Sequence, residues 1–223
     1  GDWSEESTQV IVDNIDPTAQ VTNENDDEWI NMLSDKNLEI IEIDKDANLM
    51  NCFYKVNVVS GKTTIDFTPT ACDKPFTINT HTACPVDGKN ICRVSKKVQD
   101  KACNVNNPLD GSKLFDLDRV APVTTKTVRE PKVSPFLEWI NTLTNGWFVT
   151  DKTMIALECS DVTSGCDDTL YKIIPKGEDE KEIEFVSYKG PFTLGEEDGL
   201  YTIEYFSIDE AGNQEETKME VDK

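Results

Sequence analysis

The chain is written in short alternations of apolar and polar residues. In "DGLYTIEYFSID", residues 198 to 209, Tyr201, Ile203, Tyr205 and Ser207 fall on every second position. In an extended chain such residues share one face, so this segment is predicted to be a strand with that face in a core. The same reading predicts strands near 123–128, 153–160, 169–175, 182–188, 191–194, 200–208 and 216–221, with Gly, Pro and Asp marking the gaps. No long stretch has a 3.6-residue apolar period, so helices are not expected to build the core. Asp198, Gly199 and Tyr201 have the spacing of a corner in which the tyrosine phenol bonds back to nearby backbone.

The pattern occurs twice. Val12-Asp13-Asn14 is followed by Pro17 and Leu117-Asp118-Arg119 by Pro122, while Val221-Asp222-Lys223 stands last; the three acids are 105 and 104 residues apart. Between them "EWINMLSDKNLEI" (28–40) answers "GWFVTDKTMIAL" (146–157), and "FYKV" (53–56) answers "LYKI" (170–173). "KPFTI" (74–78) answers "GPFTL" (190–194), and "DKACN" (100–104) answers "DEAGN" (209–213). Motifs repeated in one order predict two homologous domains, 13–117 and 118–223, the second with an insertion near 129–143. Trp29 and Trp147 fall at matching places and are expected in the cores; Trp139, in the insertion, is expected on a short helix capping the sandwich. "STQVIVDN" (7–14) aligns with "ETKMEVDK" (216–223), the last strand of a copy. Residues 1–12 are therefore expected to be either the remnant of a preceding repeat or a strand donated to a neighbouring subunit.

Composition narrows the partners. Of 223 residues, 43 are Asp or Glu and 22 Lys or Arg, a formal charge of −21. Phosphate binding needs a basic face, so nucleic acid is not expected as a partner. The acidity permits cation binding, although a solvated acidic surface accounts for it equally. No segment reaches eighteen apolar residues, so no direct membrane insertion is expected. His81 is the single histidine and no CxxC pair occurs, which argues against zinc. There is no glycine-rich phosphate loop and no G-x-S-x-G, and on so acidic a chain Glu196-Glu197 and Asp167-Asp168 are pairs expected by chance. An enzyme is not expected.

The opening Asp-x-x-[Ala/Asp]-Pro, the "GPFTL" edge and the strand ending in Asp-x-Ala-Gly-Asn together resemble the immunoglobulin-like repeats of large bacterial cell-surface adhesins and archaeal surface-layer proteins. The likeness covers essentially the whole chain, twice. The first copy departs from it: Cys103 replaces the Gly, Asp16 replaces the Ala before Pro17, and "HTACPVDGKNIC" is extra. The resemblance implies an all-β fold of two tandem immunoglobulin-like antiparallel β-sandwiches. It also implies a non-catalytic, extracellular stalk, surface-layer or adhesin segment whose partners are neighbouring repeats or identical subunits, or a surface glycan or protein. Two other readings stay open: a self-assembling filament subunit that donates its N-terminal strand, and a carbohydrate-binding module of a secreted enzyme.

In such sandwiches the N-terminus and two loops meet at one end. There the second copy supplies Asp116 and Asp118, then Asp161, Asp167 and Asp168, then Asp209 and Asn213. The first copy supplies Asp13 and Asp16, Asp44 and Asp46, Asp100 and Asn104. Converging carboxylate and amide oxygens suit Ca²⁺, and the resemblance implies calcium at these junctions. A local reading also suffices, in which Asp caps the turn and Gly212 with Asn213 supplies positive φ. Seven scattered cysteines suggest disulfides and an oxidising compartment. The expected pairs are Cys159–Cys166, stiffening the Asp161 loop, then Cys52–Cys72 and Cys84–Cys92, with Cys103 left over or linked to another chain.

Overall fold

A computed structural model of the chain describes residues 12–22, 29–31, 36–42, 49–72, 75–130 and 148–222. The chain divides into two compact units, Gly1–Leu117 and Asp118–Lys223. The expected N-terminal strand, Asp44, Asp46, Trp139, Trp147 and nearly all of the 129–143 insertion lie outside the described residues.

Unit 1 runs β1 (Ala19–Thr22), β2 (Lys36–Glu42), β3 (Leu49–Val58), β4 (Thr63–Thr70), β5 (Phe76–Ile78), the one-turn helix α1 (Thr80–Ala83), β6 (Gly88–Asp100) and β7 (Lys113–Leu117). One sheet has the order β1-β2-β5 and the other β4-β3-β6-β7, with every pair antiparallel. This is the immunoglobulin-like layout. Period 2 explains the core: Val56 and Val58 from β3 and Cys92 and Val94 from β6 point inward to meet Val21 and Ile78 from the facing sheet. Trp29 is only half-buried; its neighbour Ile30 takes the core place, at 2% exposure, and pairs in parallel with Leu117.

Unit 2 runs β8 (Val123–Val128), β9 (Ile155–Ser160), β10 (Cys166–Pro175), β11 (Val186–Ser187), β12 (Tyr201–Asp209) and β13 (Lys218–Asp222). Its sheets are β8-β9 and β11-β10-β12-β13, and Phe192 adds an isolated bridge to Ile155. Ile203, Tyr205 and Ser207 are buried as the alternation requires, and the Tyr201 phenol donates to the Glu197 carbonyl at 2.7 Å. Glu204 and Phe206, on the opposite face of β12, are also buried. Residues 176–185 cover them, which shortens the strand expected over 182–188 to Val186–Ser187. Apart from α1 the described residues hold no helix, and none is long and apolar enough to cross a membrane.

Disulfides join Cys52 to Cys72 and Cys159 to Cys166. Cys84 and Cys92, expected as a third pair, are both buried in the unit 1 core. Cysteine packs well as a small apolar group, and sequence spacing carries no distance. Cys103 is an exposed thiol.

Candidate functional site

The loop after β12 builds the site in unit 2. Asp209 ends the strand and its Oδ1 accepts the Asn213 N–H at 2.8 Å, while Oδ2 accepts the Asn213 amide at 2.9 Å. Gly212, with φ of 81°, makes the reversal possible without a Cβ clash. The same Asn213 amide donates to the Asp118 backbone carbonyl at 3.0 Å, so the turn holds the chain where it enters the unit. Asp118 is itself fully buried; its Oδ1 accepts from Val120 N–H at 3.0 Å and its Oδ2 from Ser164 N–H at 2.9 Å. Asp161 Oδ1 collects the N–H groups of Thr163, Ser164 and Gly165 at 2.9, 3.0 and 2.9 Å.

Unit 1 repeats the arrangement. Asp100 Oδ1 and Oδ2 accept from the Asn104 N–H and amide, each at 2.9 Å, and the Asn104 amide donates to the Asp13 carbonyl at 3.2 Å. Asp13 Oδ1 accepts from Ile15 N–H at 3.0 Å, as Asp118 does from Val120. Here Cys103 holds φ of 72° in the place of Gly212. The Asp13 Oδ2 atom is buried and has no hydrogen-bond partner among the described residues.

Asp118, Asp161 and Asp209 each bring a carboxylate oxygen within 4.8 Å of the others. Oxygens bound to one Ca²⁺ at about 2.3–2.6 Å lie at most roughly 5 Å apart, so this spacing fits a shared ion. Ser164 Oγ, whose residue donates its N–H to Asp118, is buried without a partner among the described residues and could supply a further oxygen. The same carboxylates also accept N–H donors at every position named above, so the loops close without a metal.

The other expected ligands are elsewhere. Asp116 belongs to unit 1, where its side chain accepts the Asn90 N–H. Asp167 is exposed in the bulge between Cys166 and Asp168, and Asp168 turns away to accept from Ser187 Oγ at 2.6 Å. Asp16 lines a hollow of about 280 Å³ with Asp110 and Lys96 instead of joining Asp13. Sequence proximity to a junction does not fix where a side chain points, because alternate residues of a strand face opposite ways.

The sequence reading missed a second set of contacts, which ties β8 to β13. Glu215 is buried and its carboxylate accepts the N–H and hydroxyl of Thr124 and the N–H of Ser207, with Lys218 at 3.0 Å. Burial alone would raise its pKa; the Thr124 donors and Lys218 outweigh that and hold it below the ordinary carboxylate value. Lys126 reaches Asp222 at 2.6 Å and Glu220 at 2.8 Å, both within β13. Burial, then the hydrogen bond to Glu220 and the surrounding carboxylates, push the Tyr205 phenol up. The available signal was the alternation of acids in "EETKMEVD" against Thr and Lys in "VTTKTV".

Unit 1 differs at this point. Lys96 stands where unit 2 has Tyr205, fully buried, and its Nζ has no hydrogen-bond partner among the described residues. Burial lowers its pKa, partly opposed by Asp110.

No family model matches the chain, and no curated protein matches it in sequence. Among solved structures it is similar to the fibronectin(III)-like modules of Clostridium thermocellum CbhA, with a TM-score of 0.38 and 10% identity over 91% of this chain and 93% of that one. It is similar to a tetra-tandem repeat in the extending region of a large adhesion protein, with a TM-score of 0.33 and 15% identity over 93% of this chain and 49% of that one. A two-domain fibronectin type-III segment from chicken tenascin gives 0.34 and 11% identity over 93% and 98%. At these scores the likenesses carry no argument about function.

Proposed function

We propose that the chain is a non-catalytic structural segment of an extracellular, cell-surface array of β-sandwich units, built to hold its fold under tension. The observation that carries this is the tie between the start and the end of each unit. In unit 2 the chain enters at Asp118, held by Asn213, and β8 is bonded through Thr124 to Glu215, just before β13, and through Lys126 to Asp222 in β13. In unit 1 Asn104 holds Asp13, Val21 N–H donates to the Gly111 carbonyl at 3.0 Å, and Ile30 N–H donates to the Asp116 carbonyl at 3.0 Å. A pull applied at the two ends of a unit would load these ties. The two disulfides suit an oxidising environment.

Calcium is the ligand this reading assigns to Asp118, Asp161 and Asp209. A divalent ion there would offset the repulsion of three carboxylates and fix the loops at the end of the unit. The test is thermal unfolding in millimolar calcium and again in excess chelator, since a ligand bound only by the native state raises the midpoint by mass action. A rise that disappears in Asp118→Ala/Asp209→Ala supports the site. Identical melts would leave these residues as turn chemistry alone.

A further inference from the structure

Both units carry a lysine at the same place on the outer face of the larger sheet, Lys55 in "FYKV" and Lys172 in "LYKI". In unit 2 that lysine is covered. It pairs with Glu204 at 2.9 Å, donates to the Glu180 carbonyl at 3.1 Å, and lies 4.8 Å from the centre of the Phe185 ring. Phe185 meets Phe206 edge to face at 5.0 Å. Residues 176–185, between β10 and β11, supply this cover, and they are rich in acids.

In unit 1 no such arm lies between the corresponding strands, β3 and β4. β3 turns into β4 through residues 59–62, closed by a Gly61 N–H bond to Val58 at 2.9 Å. Across from Lys55 stands Ser95, where unit 2 has Glu204; across from Phe53 stands Lys97, where unit 2 has Phe206. Lys55 lies 5.5 Å from the Phe67 ring, and Lys97 lies 5.8 and 5.9 Å from Phe53 and Phe67. The acid beside Lys55 is Asp66, 3.9 Å away and itself 85% exposed. Arg93, on the same face, has its Nε buried with no hydrogen-bond partner among the described residues. On a chain of −21, the described residues of this face thus set half-buried cations over aromatic rings, around the buried Ser95.

We propose that this face of unit 1 docks an extended acidic peptide of a partner protein, bearing an aromatic side chain, in the place that residues 176–185 occupy on unit 2. Carboxylates would pair with Lys55, Lys97 and Arg93, and the aromatic ring would pack on Phe53 and Phe67, with a peptide carbonyl accepting from lysine. The net negative charge does not forbid this, because it is screened beyond about 8 Å at physiological salt. The inference is independent of the stalk and calcium readings.

The probe is a synthetic peptide of residues 178–187, EDEKEIEFVS, added to the intact chain and followed by NMR. Saturable shifts of the Phe53, Lys55 and Lys97 N–H signals are expected. Replacing the peptide phenylalanine by alanine, or Lys97→Glu in the protein, should each weaken binding about tenfold. Lys97→Glu also removes the Phe53 and Phe67 contacts, so the peptide substitution, which leaves the protein unaltered, is the control for an effect on folding. No shifts at millimolar peptide, or shifts away from this face, would overturn the proposal. So would shifts produced by polygalacturonate and not by the peptide, which would assign the face to an acidic glycan.

Discussion

The side-chain amide of Asn213 is hydrogen-bonded to the backbone carbonyl of Asp118, 95 residues earlier, at 3.0 Å. Asn104 makes the same bond to Asp13 across 91 residues. One amide therefore closes a turn and grips the incoming chain, in both units. Replacing Asn213 by Ala leaves the buried Asp209 carboxylate and the Asp118 carbonyl without that donor. Unit 2 should lose about 2 kcal/mol in denaturant unfolding, and unit 1 should be unaffected. Asn104→Ala should act on unit 1 in the same way.

Cys103 adopts the left-handed conformation that Gly212 adopts in the other unit. A side chain there costs roughly 1–2 kcal/mol, partly offset by the greater freedom of glycine in the unfolded chain. Cys103→Gly is expected to stabilise unit 1 by about 1 kcal/mol in urea unfolding. A loss of stability would show that the thiol makes a compensating contact.

Glu215 has a pKa below the ordinary carboxylate value, because its donors outweigh its burial. Its contribution is fully present above the unfolded value near 4.5 and is lost as pH falls through the lower folded value. Glu215→Gln should cost unit 2 about 1–3 kcal/mol at neutral pH. The gap from the parent protein should narrow as the pH is lowered below 4.5, and stability curves against pH will show whether it does.

Lys96 behaves in the opposite sense. Its folded pKa lies below 10.5, so between the folded value and 10.5 the unfolded chain binds more protons and stability rises with pH. Lys96→Met should stabilise unit 1 at neutral pH by about 1–2 kcal/mol, with the advantage shrinking toward pH 10.5. Comparing the two proteins at each pH removes the common contribution of Tyr205.

The strands were legible because each face obeys period 2: β8 lies over Val123–Val128 as the alternation of "VTTKTV" indicates. The two-fold repeat was legible because Asp, Asn and Gly each have a fixed task in the turn. Which carboxylates converge was not. Asp161 and Asp168 are both within the same loop region, yet the bulge at Cys166/Asp168 sends Asp168 to Ser187 and leaves Asp161 beside Asp118. Glu204 and Phe206 looked solvent-facing by alternation and are buried, because the cover comes from residues 176–185, whose path no local pattern encodes.

The most direct test of the proposed role is to pull the chain by its two ends in optical tweezers. Two discrete unfolding steps are expected, with Asn213→Ala or Lys126→Ala lowering the force of one step and leaving the other unchanged. A chain that lengthens gradually without discrete steps, or steps whose forces ignore both substitutions, would contradict a segment built to hold tension.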